Sequence, residues 1–286
     1  MLNYEQALLE TTSRLETAGS ESPRLDATLL LCHVTGRDKI QLYAHPRTQI
    51  TREQYALFEN LVARREKAEP MAYILGEKGF WELNLNISPD VLIPRPDTET
   101  LLEAVFDAFP DKQQPMAILE LGVGSGAVVL SLLKAYANAT AIGTDISQAA
   151  LVCAKLNGEK HGLAPRLTLH EGSWFKALPA SHTFDLIVSN PPYIPSGDIP
   201  GLMRDVRLYE PVEALDGGTD GLGPYRHIAA RAHRFLNPNG LLALEVGQGQ
   251  ARDVIDMLEA AKSYGPAGTR QDLAGTDRVV FARADK

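Results

Sequence analysis

The sequence is poor in cysteine and has no clustered histidines. It contains only Cys32 and Cys153, and each lies in a segment whose apolar spacing predicts a helix. We therefore expect two buried, reduced thiols, and neither a disulfide nor a thiolate metal site. The seven His residues are scattered without the spacing of metal ligands. The sequence thus predicts a protein that holds no metal ion.

Long apolar runs and an excess of positive charge are also missing. No apolar run approaches the ~20 residues of a membrane-spanning helix, and residues 1–5 lack the basic-then-apolar pattern of a signal peptide. We expect a cytoplasmic protein without a membrane partner. The formal net charge of -8 argues against a broad surface for a nucleic-acid backbone, so no direct nucleic-acid partner is expected.

Helical signals fill the N-terminal region. Apolar residues recur at spacings of three and four over residues 3–18, Ser22-Pro23 begins a second helix, and Thr51 with Gln54 caps a third. This pattern predicts a small helical bundle over residues 1–75. The bundle contains no catalytic motif, and we interpret it as a domain that docks the substrate.

The periodicity changes after Leu75. Residues 80–87 alternate in the period of a strand, and the apolar run Val91-Leu92-Ile93 follows a Ser-Pro-Asp turn. We expect a β-hairpin linker over residues 76–94. Beyond it, residues 95–286 form the predicted catalytic domain, because strands and helices alternate from Met116 onwards and such alternation indicates a parallel sheet with helices on both faces.

A glycine-rich turn marks a cofactor site. The strand Met116–Leu121 runs into Gly122-Val-Gly-Ser-Gly126, whose backbone N–H groups can approach a ligand closely, and the next strand ends in Asp145, which suits ribose hydroxyls. Together these features predict a nucleoside-containing cofactor. The glycine spacing also allows a nicotinamide dinucleotide. Glu120 favours S-adenosylmethionine, because a carboxylate attracts a ligand ammonium group and repels a pyrophosphate.

A second turn indicates the chemistry. The apolar strand that begins at Phe184 stops at Asn190-Pro-Pro-Tyr193. The two prolines donate no hydrogen bonds and hold the chain extended, so that the Asn190 carboxamide and nearby carbonyls project as acceptors. With the flat ring of Tyr193, they can hold a planar group that carries an NH₂. The alternative is a Pro-Pro turn that merely ends a strand.

These segments resemble a known family. Glu120–Gly126, Asp145 and Asn190–Tyr193, at these separations, are similar to class I S-adenosylmethionine-dependent methyltransferases that modify a planar amide or amino nitrogen. The helical N-terminal region, the hairpin and the segment Leu92–Glu99 resemble the release-factor glutamine methyltransferases, the PrmC/HemK family. The resemblance covers essentially the whole chain. It implies a doubly wound, mostly parallel sheet whose last strand, Arg278–Ala282, is antiparallel.

The resemblance also assigns residues. It implies that Asn190, Pro191 and Tyr193 are catalytic, and that Pro192 joins them in binding the substrate. Trp174 takes the position beside the adenine. Where relatives commonly place an acid before that aromatic residue, this chain has Ser173, so the adenine amino group is left to Ser173 or to the backbone. The implied cofactor-binding residues are Glu120, Gly122, Val123, Gly124, Ser125, Gly126, Asp145, Trp174 and Asn190. Loop residues near the site are Glu210-Pro211 and Asp216-Gly217-Gly218.

The expected activity follows from the family. It is N5-methylation of a glutamine in the Gly-Gly-Gln loop of peptide chain release factors, with S-adenosylmethionine as the cofactor and the release factor as the protein partner. One alternative is N-methylation of a base in rRNA or DNA, which the acidic net charge disfavours. Another is a non-enzymatic scaffold that binds the cofactor and docks on translation components.

Overall fold

The chain folds into two compact units. In the computed structural model, residues 2–179 and 181–285 are described. The first unit, which we call the helical unit, extends to Glu77 and also includes Met203–Tyr209; the second, the sheet unit, contains Lys78–Leu202 and the chain from Glu210 onwards. The chain therefore leaves the sheet unit once, at residue 203, and returns to it at residue 210.

The N-terminal helices begin where the sequence predicts them. Thr51 and Gln54 form a capping box, in which the Gln54 backbone N–H donates to Thr51 Oγ1 at 3.2 Å and the Thr51 N–H donates to Gln54 Oε1 at 3.1 Å. Gly36 ends the second helix in a left-handed conformation. The helices are α1 (Tyr4–Thr17), α2 (Pro23–Thr35), α3 (Lys39–Ala44), α4 (Arg52–Glu66) and α5 (Met71–Leu75).

These helices bury a leucine-rich core. Leu15, Leu30 and Val62 are fully buried within it. The buried carboxylate of Asp26 accepts a hydrogen bond from Arg65 Nε at 2.8 Å, so its charge is paired inside the bundle. The structure confirms the predicted helical bundle, and it adds the short helices α3 and α5, which are too brief for periodicity to reveal.

A hairpin follows the N-terminal helices, but its strands differ from the prediction. They are β1 (Glu77–Phe80) and β2 (Leu83–Asn86), joined by a turn at Trp81-Glu82. The prediction that Val91–Ile93 forms the second strand is wrong. The reason is that the Ile93 N–H donates to the buried carboxylate Glu210 Oε2 at 3.2 Å instead of to a neighbouring strand. A side chain distant in sequence thus binds this apolar segment.

The sheet of this unit has seven strands in the order β5-β4-β3-β6-β7-β9-β8. β3 pairs in parallel with β4 and β6, while β9 is antiparallel to β7, as the resemblance implies. The edge strand β8, antiparallel to β9, was not predicted. The strands are β3 (Met116–Leu121), β4 (Ala139–Asp145), β5 (Leu167–Glu171), β6 (Phe184–Ser189), β7 (Leu236–Glu245), β8 (Gly268–Gln271) and β9 (Asp277–Arg283).

Helices accompany the sheet in the alternation that the sequence predicts. They are α6 (Glu99–Ala108), α7 (Ala127–Ala135), α8 (Gln148–Lys160), α10 (Gly223–Ala229) and α11 (Ala251–Ala261), and α9 (Arg204–Tyr209) belongs to the helical unit. The described residues contain no helix that is both long and apolar enough to cross a membrane. Cys153 is buried in α8 as expected, whereas Cys32 in α2 is only partly buried.

The central strands determine where a site can form. β4, the next strand in the chain, lies on one side of β3, and β6 lies on the other side. β3 and β6 are therefore neighbours in the sheet although they are distant in sequence. In open parallel sheets, ligands bind beyond the carboxyl ends of the strands at such a point. Both turns singled out in the sequence follow these two strands.

Candidate active site

A cavity of about 810 Å³ lies beyond the carboxyl ends of β3, β4 and β6. This volume lies in the range of small-molecule and cofactor sites. Its walls combine residues 122–125 of the glycine turn, the end of β4, the loop after β5, Asn190 and Pro192, whereas the predicted cofactor residue Gly126 does not line it. The segments 89–95 and 211–216 contribute further residues. The cavity therefore brings together most of the residues that the sequence predicts for the cofactor.

The glycine turn lies against the end of β4. The N–H groups of Gly122 and Val123 both donate to the Thr144 carbonyl, at 2.8 and 3.0 Å, so the turn is tied to the neighbouring strand. Gly124 has φ 50°, a left-handed conformation that glycine adopts without strain, and a Cβ there would meet no atom within 4 Å. The open space in front of Gly124 is cavity, into which a ligand can approach the backbone.

Asp145 ends β4 and is half-buried at the cavity wall. Its Oδ2 accepts a hydrogen bond from the Gly124 N–H and its Oδ1 from the Ser147 N–H, both at 2.9 Å. Each carboxylate oxygen can accept more than one hydrogen bond, so Asp145 keeps acceptor capacity for hydroxyl groups. These two contacts orient the carboxylate before any ligand binds.

Glu120 lies inside the end of β3, buried and on the cavity wall. Its Oε2 accepts a hydrogen bond from the Val129 N–H, in the first turn of α7, at 2.9 Å. Burial raises the pKa of Glu120 well above its ordinary value, and the charge of Asp145 raises it further. A cation at this wall would favour the ionised form of Glu120.

Trp174 lies on the cavity wall after β5, next to Ser173 and Gly172. Its φ of 53° is unusual for a bulky residue, and such outliers occur where the surrounding structure holds a side chain in place. The indole ring lies 6.1 Å from the His227 ring and packs against the core of the sheet unit. The structure therefore places Trp174 both at the cavity and in the core packing.

Asn190 follows β6 directly and reaches the cavity wall. Its Nδ2 donates to Thr98 Oγ1 at 3.2 Å. Thr98 is buried, and it lies on the segment 95–98, which precedes α6. Because the nitrogen of the Asn190 amide is engaged by Thr98, its oxygen Oδ1 is left as the acceptor. This arrangement matches the acceptor role predicted for Asn190, a role that stays a prediction.

The other residues of this turn lie differently. Pro192 lines the cavity, whereas Pro191 is buried and neither Pro191 nor Tyr193 lies on the cavity wall. The Tyr193 carbonyl accepts a hydrogen bond from Gln250 Nε2 at 2.9 Å. Burial, followed by the charge of Glu245, raises the pKa of Tyr193 to about 12. The Tyr193 ring is therefore neutral and packed at the edge of the core.

The two loops singled out after the turn also have defined places. Glu210 is buried and its Oε1 pairs with Arg95 Nη2 at 2.5 Å, which joins the segment 93–95 to the start of the 211–216 wall. Ile194 and Asp216 form an isolated parallel bridge, and the Ser196 Oγ donates to Asp216 Oδ1 at 2.7 Å. The loop at 216–218 thus braces the chain after Tyr193.

Sequence reasoning missed two side chains behind the Asn190–Tyr193 turn. Glu245 ends β7 and is almost fully buried, and Gln250 holds the Tyr193 carbonyl. A signal for Glu245 was present, since it is an acid within the apolar run Leu241–Val246, as Glu120 is within the end of β3. No comparable signal marks Gln250, because a glutamine in a loop is common.

The cavity walls carry groups that can bind a cation and hydroxyl groups. They offer a buried carboxyl group at Glu120, carboxylate acceptors at Asp145 and a backbone turn without side chains at Gly124. In addition, Thr144 Oγ1 is buried at this wall without a hydrogen-bond partner among the described residues. An unpaired buried hydroxyl group is costly, and a polar ligand group would satisfy it.

The chain is similar to known proteins over most of its length. Residues 6–76 match the PrmC N-terminal domain and residues 112–277 match a methyltransferase domain. The release factor glutamine methyltransferase of Rhodospirillum rubrum is 44% identical over 273 residues, covering 94% of this chain and 82% of that protein. The enzyme of the same description from Geobacter sulfurreducens is 43% identical and covers 96% and 94%, respectively. A solved methyltransferase from Pyrococcus furiosus has the same fold, with a TM-score of 0.52 at 16% identity, covering 83% of this chain and 100% of that chain.

Proposed function

Because the chain belongs to the family of release factor glutamine methyltransferases, we propose that it methylates peptide chain release factors at the side-chain amide nitrogen, N5, of the glutamine in their Gly-Gly-Gln loop. The methyl donor is S-adenosylmethionine. One observation carries this proposal: Asn190 stands at the wall of the cavity that also bears the glycine turn, with its amide nitrogen held by Thr98. The acceptor oxygen and the cofactor site are thereby neighbours.

The cofactor is held by the residues of the cavity wall. S-adenosylmethionine, when bound, supplies a methyl group on a positively charged sulfur. Glu120 binds its ammonium group, Asp145 binds its ribose hydroxyls, and the backbone of residues 122–126 surrounds its methionine part. Trp174 lies beside the adenine, whose amino group is recognised by Ser173 or by backbone carbonyls. The unpaired Thr144 hydroxyl adds one more polar contact for the ligand.

The substrate amide is held by acceptors. An amide nitrogen is a poor nucleophile because its lone pair is delocalised, and Asn190 Oδ1 together with the Pro191 carbonyl favours the pyramidal form by engaging its two hydrogens. Pro192 shapes the entrance, and Tyr193 provides the flat face for the amide plane. The role of Tyr193 is supported by the family resemblance rather than by the cavity wall.

Positioning does most of the catalytic work in this scheme. The side-chain and carbonyl acceptors align the nitrogen with the methyl group and exclude water, and such alignment contributes ~7–11 kcal/mol in favourable cases. The amide nitrogen would gain one bond to the methyl carbon as the bond of that carbon to the donor sulfur breaks, and it would lose one proton to solvent. The reaction therefore needs neither a covalent enzyme intermediate nor a strong base. Since release factors act on ribosomes, the reaction takes place in the cytoplasm.

The helical unit is proposed as the docking domain for the release factor. It presents exposed apolar side chains, among them Ile40, 79% exposed, and Leu57, 47% exposed. Ile40→Glu and Leu57→Glu should raise KM for the release factor severalfold and leave kcat unchanged, because only binding is weakened. Leu273→Glu, at a fully exposed position of the sheet unit, is the matched control. Unchanged KM in both variants would move docking to another surface.

The activity is tested with labelled S-adenosylmethionine. The protein is incubated with purified release factor, with rRNA and with DNA, and the methylated residue is identified by mass spectrometry. We expect label on the glutamine of the Gly-Gly-Gln loop alone. Label in nucleic acid but not in protein would support the base-methylating alternative, and cofactor binding without any transfer would support the scaffold.

A further inference from the structure

Glu245 is a buried carboxyl group that the scheme above does not use. It ends β7, directly after Leu244, which pairs with Ser189 of β6, so it lies beside the start of the Asn190–Tyr193 turn. The residue is 1% exposed, and its Oε2 has no hydrogen-bond partner among the described residues. It does not line the cavity. A buried, incompletely paired carboxyl group is costly, which indicates a role beyond packing.

The groups around Glu245 belong to the substrate turn and its support. The polar groups of Thr98 and Asn190 lie close enough to the carboxyl group to lower its pKa, and Arg278, Asp97 and Tyr193 face it with their charges or polar groups. The Tyr225 hydroxyl donates to the Glu245 backbone carbonyl at 3.0 Å. Arg278 is itself paired with Asp97 at 3.2 Å and with Asp272 at 3.1 Å. The positive charge near Glu245 is therefore shared with two other carboxylates.

The hydrogen-bonding capacity of this carboxyl group depends on its ionisation. As a carboxylate it only accepts, so the Asn190 amide must turn its nitrogen towards Glu245 and Thr98, and its oxygen is directed away from them. As a neutral acid it carries a donor. The Asn190 amide can then rotate by half a turn and satisfy that donor with its oxygen, which leaves an NH₂ group where the substrate amide needs an acceptor.

We propose that Glu245 is a positioning residue whose carboxylate form keeps the Asn190 oxygen directed at the substrate amide, so that turnover requires this carboxylate. The inference rests on the proposed glutamine methylation. Burial raises the pKa of Glu245 to about 7, while Thr98, Arg278 and Asn190 lower it and Asp97 raises it. Both forms of Glu245 are therefore populated near neutral pH, and the active form increases as the pH rises.

The pH profile of kcat tests this role. With saturating S-adenosylmethionine and release factor, kcat of the unmodified enzyme should rise through pH ~7 to a plateau. Glu245→Gln, an isosteric mimic of the neutral acid, should lose this rise and remain about 10- to 100-fold below the plateau, the scale of a misplaced reacting partner. Glu245→Asp retains a carboxylate and should retain the rise. Saturating cofactor keeps the titration of Glu120 out of kcat.

The matched control is Glu103→Gln, the same change at a half-exposed carboxylate that pairs with Arg270. Its kcat profile should follow that of the unmodified enzyme. The proposal would be overturned if kcat of Glu245→Gln followed the same pH profile as kcat of the unmodified enzyme. It would also be overturned if both proteins had the same kcat and neither value depended on pH.

A second measurement does not depend on the substrate. In the free protein with ¹⁵N-labelled asparagine, the side-chain amide signals of Asn190 should shift with pH around 7, and Glu245→Gln should abolish that shift. Signals that do not titrate would overturn the coupling between the two residues. If the unmodified protein methylates nothing, the proposed function fails, and this titration still decides whether Glu245 orients Asn190.

Discussion

The two turns that form the candidate site are built in different ways. The glycine turn after β3 consists of backbone, and its bonds run to the adjacent strand end through Thr144 and Asp145. The Asn190–Tyr193 turn after β6 is held by side chains from elsewhere in the sheet unit, Thr98 and Gln250. A backbone without side chains lets a ligand come close to its N–H groups. A reacting amide instead needs one side-chain atom that is directed at it. The first turn is locally specified, and the second depends on remote residues.

Removing the acceptor of the second turn should have the largest effect. Asn190→Ala is expected to lower kcat/KM at least ~10²-fold, the scale of losing one positioned transition-state partner, while cofactor affinity falls less. The measurement uses saturating S-adenosylmethionine, so that a weakened cofactor site does not imitate a catalytic loss. Near-normal turnover under these conditions would reduce Asn190-Pro-Pro-Tyr193 to a simple strand end.

Glu245, which is buried beside the same turn, should make the stability of the protein depend on pH. The pKa of Glu245 is about 7 in the folded protein and near its ordinary 4.5 when unfolded, so between these values the folded state holds a proton that the unfolded state has lost. The contribution of Glu245 to the free energy of unfolding should therefore be most favourable below pH 4.5 and fall as the pH rises through 7, by on the order of 3 kcal/mol.

Urea unfolding at pH 5–8 checks this prediction. Both tryptophans, Trp81 and Trp174, lie in the sheet unit, so their fluorescence reports its unfolding. Glu245→Gln should be relatively more stable at pH 8 than at pH 5 when compared with the unmodified chain, because it lacks the buried charge. If the free energy of unfolding depended on pH identically in the two proteins, burial would not raise the pKa of Glu245.

The first turn is tested at Asp145. Asp145→Ala should weaken S-adenosylmethionine binding by ~1.5–3 kcal/mol, the range for hydrogen bonds to a charged group, and leave the fold intact. Calorimetry measures the affinity, and circular dichroism checks the fold. Part of the loss comes from the Gly124 N–H, which Asp145 also binds. An unchanged affinity in the folded variant would remove Asp145 from the cofactor site.

The smallest expected effect is the difference in stability between two glycine substitutions. One glycine lies in the glycine turn, and the other packs against the carbonyl of Tyr193. Gly124→Ala and Gly221→Ala each place a side chain at a positive φ, of 50° and 72°, which costs roughly 1–2 kcal/mol. A Cβ at Gly124 has open space, whereas one at Gly221 would lie 2.3 Å from the Tyr193 carbonyl oxygen. Gly221→Ala should therefore be less stable by a further ~1–3 kcal/mol. Equal melting temperatures for the two variants would show that the loop at residue 221 shifts to accommodate a Cβ without loss of stability.

Much of the fold could be predicted because its signals are local. The strand Met116–Leu121 and the helices Ala127–Ala135 and Ala251–Ala261 begin where the apolar periodicity and the glycine or loop residues indicate. The hairpin differs from the prediction at Val91–Ile93, because the Ile93 N–H donates to Glu210, 117 residues away, instead of to a strand. No local pattern reports a partner at such a distance.

The same distinction holds for the site. Composition and short motifs were enough to identify a glycine turn, an acid after the second strand and an Asn-Pro-Pro-Tyr strand end, since each works through the conformational freedom or restriction of its own few residues. The orientation of the Asn190 amide, the placement of Tyr193 off the cavity wall and the burial of Glu245 were decided by the tertiary structure. The physical reason is that hydrogen-bond partners and desolvation depend on which distant segments the sheet brings together.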